Sequence, residues 1–82
     1  MNPAQTFELE YNDAGDTFTT SCWQLLQWKH ALSLELVGMT LSRGKKVSTH
    51  LKSLMKLKRN TPVKVLQAWV NGALDAATKE LT

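Results

Sequence analysis

No aspartate or glutamate occurs between Glu35 and Asp75, and no lysine or arginine in the first 28 residues. Charge is therefore separated along the chain: Glu8, Glu10, Asp13 and Asp16 come early, then Arg43, Lys45, Lys46, Lys52, Lys56, Lys58, Arg59 and Lys64 fill the middle. Solvated faces usually mix signs, so an interval carrying cations alone points to an anionic partner. The net charge of +3 hides this polarity. A single cysteine, Cys22, excludes an intrachain disulfide and fits a reducing compartment, where it serves as a small buried hydrophobe. No basic-then-apolar leader opens the sequence, and no run approaches the ~18–20 apolar residues of a membrane span. The expectation is a soluble, cytoplasmic protein. Low-complexity tracts and repeats are also missing; with 43% hydrophobic and 21% charged residues over 82 positions, the composition is that of one folded domain, residues 1–82. A domain of this size buries only roughly 60–65% of its unfolded surface, so a homodimer would help it.

What is present reads as a mainly helical α+β domain, an N-terminal strand or short hairpin packed on three helices. Thr6–Tyr11 alternates Phe7, Leu9 and Tyr11 with Glu8 and Glu10, the period of a half-buried strand. The turn formers from Asn12 to Asp16 predict a hairpin onto a short Thr17–Thr19 strand, for a hairpin over residues 6–19; pairing across a dimer is the other solution. Ser21 and Gln24 match a capping box that opens a first helix at about 21–37, ended by Gly38. Leu25, Trp28, Leu32 and Leu36 share one face, and Cys22, Leu26 and Val37 widen it towards an all-round buried, central helix. Met39 and Leu41 fold back onto the core, and Ser42 is available to cap a second helix at about 45–57, with Val47, Leu51, Leu54 and Met55 inward. Its two early lysines oppose the helix macrodipole at ~0.3–1 kcal/mol each. After a Lys58–Asn60 turn, Thr61 and Pro62 read as cap and first residue of a third helix at about 62–80. Gly72 in that helix marks a close helix contact.

The last two helices, joined by a turn of three residues, predict a helix-turn-helix-like corner. In that frame the third helix shows Lys64, Gln67 and Asn71 outward, residue types able to contact bases or phosphate, while Arg43, Lys45, Lys46, Lys52, Lys56 and Arg59 grip the backbone. The functional expectation is a non-enzymatic protein, without cofactor or metal, that binds DNA or RNA through a basic helical face. The plainer reading is a solvated face or a protein contact. Trp28 and Trp69 belong to the apolar stripes as core residues, and Trp23, off the Leu25–Leu36 line, suits an interface.

Other chemistries fail on detail. Gly38–Lys46 places five residues between its glycines where a nucleotide-binding loop needs four, and Lys46 stands where Ser or Thr would hold magnesium. The Asn12–Asp16 turn lacks a calcium loop's closing glutamate, since the twelfth position from Asp13 is Gln24. Cys22, His30 and His50 have no ligand spacing. Glu8 and Glu10 alternate with Phe7, Leu9 and Tyr11 and so face solvent together, which without a pocket does not suit paired acid–base catalysis.

The run His30-Ala31-Leu32-x-Leu34-Glu35-x-x-Gly38-Met39-x-x-Ser42-Arg43-Gly44, followed by Lys64-Val65-Leu66, resembles short phage-encoded proteins of unknown function. The resemblance transfers no site. It implies a protein made in the cytoplasm of an infected bacterium, and with it an alternative: a modulator that binds and inhibits a host enzyme, polymerase or defence complex through an acidic surface of that partner.

Overall fold

The computed structural model describes residues 4–11, 14–39 and 44–80. Two strands, β1 (Thr6–Glu10) and β2 (Thr17–Ser21), are followed by three helices, α1 (Cys22–Leu36), α2 (Val47–Leu54) and α3 (Val63–Glu80). The strands pair antiparallel with Thr6 opposite Ser21 and Glu10 opposite Thr17. The partner of β1 therefore lies within the chain. Alternation buries Phe7 and Leu9 and leaves Thr6, Glu8 and Glu10 exposed, and Thr17 Oγ1 donates to Glu8 Oε1 at 2.7 Å across the outer face.

The second strand runs two residues beyond its expected end. Ser21 has the extended backbone an N-cap requires, φ −107° and ψ 158°, so it pairs with Thr6 while its Oγ accepts the Gln24 N–H at 3.1 Å. Strand passes into helix with no connecting residue. Thr20 turns inward beside Phe7, and among the described residues its buried hydroxyl has no hydrogen-bond partner.

The core joins Phe7 and Leu9 to Leu25, Trp28 and Leu32 of α1, Leu51 and Met55 from α2 and its C-cap, and Leu66, Val70, Leu74 and Ala77 of α3. Phe18 is the aromatic hub, 5.2 Å from Trp69, 5.7 Å from Tyr11 and 6.1 Å from Trp28 between ring centroids. The most extensive helix contact is between α1 and α3.

Several expectations are corrected. α1 is central but not buried all round: the other elements cover one side, leaving Trp23 56%, Leu26 45%, Leu36 41% and Val37 73% exposed. Met39 is likewise exposed and Leu54 partly so, while Leu41 and Ser42 fall outside the described residues. Gly72 marks no close approach, since a Cβ there would meet nothing within 4 Å.

Helix ends explain the remaining differences. α1 ends as Gly38 predicts: at φ +87° its N–H donates to the Glu35 carbonyl at 3.0 Å and Met39 N–H to Leu34 at 2.9 Å, a Schellman motif. α2 ends the same way but on a lysine. Lys56 sits at φ +55°, its N–H donates to the Ser53 carbonyl at 3.3 Å, and Leu57 N–H donates to Lys52 at 2.9 Å. The helix thus stops at Leu54, and the connection to α3 runs over residues 55–62, wider than the expected three-residue turn. Thr61 does not cap α3 with its side chain. Its hydroxyl donates to the Lys58 carbonyl at 2.8 Å, and the Pro62 carbonyl receives the Val65 and Leu66 N–H groups, so the helix proper begins at Val63. No helix among the described residues is long and apolar enough to cross a membrane.

Candidate functional site

With Leu51 and Met55 turned into the core, α2 presents Thr49, Lys52 and Ser53 on its outer side. Thr49 and Ser53 are four residues apart and so lie one above the other on a helix. Below them Lys52 Nζ donates to the Arg59 carbonyl at 3.0 Å, tying the 55–62 connection back to the helix. The result is a notch of about 380 Å³ lined by Thr49, Lys52, Ser53, Leu57 and Arg59. Its lining holds two hydroxyl residues, two cationic ones and Leu57, and among the described residues no carboxylate. Hydroxyls and cationic N–H groups are donors suited to phosphate or carboxylate oxygens.

The other predicted contacts divide by position. Lys45 and Lys46 are exposed at the start of α2, and Lys56, Lys58 and Arg59 are exposed beyond its end. Of the second group, Arg59 is drawn back beside the helix, held to Lys52 and lining the notch with Thr49. Lys64 and Asn71 are exposed on α3. Gln67 is not outward: half-buried, it donates through Nε2 to Ser33 Oγ at 2.9 Å and links α3 to α1. Arg43 lies outside the described residues. Sequence reasoning missed Thr49 and Ser53, whose four-residue spacing around Lys52 was the available signal, and left Lys58 out of the contact set.

The early lysines of α2 have a local counterweight. Lys46 is the N-cap residue, without a side-chain cap bond, and the cap comes instead from α1: Glu35 Oε1 accepts the Ser48 N–H at 3.1 Å. The last acid before the basic interval thus sits at the positive end of α2, where a carboxylate is stabilising.

Two further grooves flank the hairpin. One, of about 640 Å³, lies between β2 and α2 and includes Thr19, Gln24, Trp28, His50 and Leu54; the other, of about 350 Å³, includes Leu9, Trp69, Gly72 and Ala76. Among the described residues no group of three His, Cys, Asp or Glu could hold a metal ion. No protein-family model matches the chain, and no curated protein or solved structure matches it.

Proposed function

We propose that the protein binds nucleic acid, DNA or RNA, through the sugar–phosphate backbone, with α2 and the connection that follows it as the contact surface. The observation that carries this reading is the notch of Thr49, Lys52, Ser53, Leu57 and Arg59, without a carboxylate among the described residues and flanked by exposed Lys45, Lys46, Lys56 and Lys58. With Gln67 engaged to Ser33, only Lys64 and Asn71 of the expected base-reading set stay available, so backbone contact dominates and sequence discrimination is weak.

Fluorescence anisotropy on labelled duplex and single-stranded probes across a salt series tests this. Log affinity falls with log salt at ~−0.9 per duplex phosphate contacted, or ~−4 to −5 for about five contacts. Lys45→Glu with Lys46→Glu abolishes binding and leaves the helical CD spectrum unchanged. Affinity indifferent to salt and to that charge reversal would refute the proposal.

A second reading, the inhibitor of a host protein, draws on Leu57 in the wall of the same notch. An apolar surface beside cations suits an acidic side chain with a hydrocarbon stem. It requires no shift of any nucleic-acid probe at physiological salt and stoichiometric retention of one host protein after nuclease treatment.

A further inference from the structure

The outer face of α1 carries Trp23, Leu26, His30, Leu34 and Val37, a stripe with successive spacings of three, four, four and three residues. Such spacing keeps side chains on one side of a helix. Trp23, Leu26, His30 and Val37 are exposed and Leu34 is half-buried. The two charged residues of α1, Lys29 and Glu35, lie off the stripe. The outer face of α1 thus groups Trp23, Leu26, Leu34 and Val37 around His30, with exposed Gln27 beside them, and its own chain leaves that face open.

We infer that a second copy of this chain covers the outer face, with the two α1 helices antiparallel across a two-fold axis at His30. The stripe's spacing reads the same in both directions about His30. A two-fold contact requires a patch that matches itself. Antiparallel pairing sets Trp23 against Val37 of the partner and Leu26 against Leu34, a large ring opposite a small branched side chain, so the facing surfaces interlock. Charge favours the same direction. β2, paired to the strand bearing Glu8 and Glu10, joins the N-terminal end of α1, and Lys45 and Lys46 follow its C-terminal end, where Glu35 meets Ser48. Antiparallel copies bring the acidic end of one to the basic end of the other. The exposed apolar side chains from Trp23 to Val37 leave on the order of several hundred Å² uncovered, within the ~300–600 Å² of a monomer's largest patch, and the flanking residues extend the face towards the ~800 Å² per partner of a standard interface. The inference stands apart from the nucleic-acid reading.

Light scattering after gel filtration, at tens of micromolar protein, gives a mass near twice 9.2 kDa for the wild-type chain. Leu26→Glu places a charge on the exposed stripe, returns the mass to that of the monomer and preserves the CD spectrum. Orientation is read by cysteines introduced one at a time beside the buried Cys22, under mild oxidation. His30→Cys, at the two-fold axis, forms a disulfide-linked dimer, whereas Trp23→Cys does not, because the two copies of position 23 lie ~21 Å apart along antiparallel helices. A wild-type chain that stays at 9.2 kDa, a Leu26→Glu variant that stays dimeric, or a Trp23→Cys variant that crosslinks as readily as His30→Cys overturns it.

Discussion

Glu35 of α1 and Ser48 of α2 are joined by a 3.1 Å hydrogen bond from the Ser48 amide to Oε1, across thirteen positions of sequence. α2 borrows its N-terminal cap from its neighbour, because Lys46 supplies none. Glu35→Ala removes both the acceptor and the charge that answers the helix end, and lowers stability by ~0.5–2 kcal/mol. For a domain of this size the thermal midpoint falls by ~4–8 °C per kcal/mol, read by CD melting. Glu35→Gln keeps an acceptor and loses less.

Lys56 occupies the left-handed position that closes α2, at φ +55°. An L-residue with a Cβ is strained there by ~1–2 kcal/mol, while glycine is at ease but loses more backbone freedom on folding. Lys56→Gly is expected to stabilise by ~0.5–1 kcal/mol, and Lys56→Val to destabilise. Urea midpoints at unchanged slope check both. The glycine variant also removes an exposed cation, so under the proposed function it binds nucleic acid less tightly while folding more stably.

Thr20 places a hydroxyl in the core that has no partner among the described residues. Thr20→Val exchanges it for a methyl group of the same shape and is expected to raise stability by about 1 kcal/mol, because the orphaned polar atom disappears. A denaturation midpoint that drops overturns this expectation.

Gln67 links α3 to Ser33 on α1. Gln67→Ala is expected to cost ~0.5–1.5 kcal/mol of stability and to leave nucleic-acid affinity where it was. Asn71→Ala, on the exposed face, moves neither stability nor slope by much, whereas Lys52→Ala weakens binding and loosens the connection it holds. Parallel melting and anisotropy series separate the three.

Where a local rule suffices, the fold is legible from sequence. The alternation of Phe7 and Leu9, the Ser21–Gln24 pair and the glycine stop at Gly38 lead to the observed hairpin and first helix within a residue or two. The end of α2 is not legible, because no local rule singles out Lys56 as a left-handed residue. Its cap is hidden for another reason: the residue that supplies it belongs to a different helix. In the candidate site, charge identified the cations, but Gln67 looked free only because helical periodicity does not say where α1 lies. Gly72 shows the converse, a glycine without a close neighbour, so Gly72→Ala is expected to stabilise α3 by ~0.5–1 kcal/mol.

Ser21 is at once the last residue of β2 and the cap of α1. Between α2 and α3, by contrast, residues 55–62 separate one helix from the next. At Ser21 nothing does, so sheet and central helix keep one orientation and open together. In hydrogen exchange the paired amides of the hairpin and those in the first turns of α1 belong to a single cooperative unit, while α2, eight residues long and capped from outside, is the segment free to come away first.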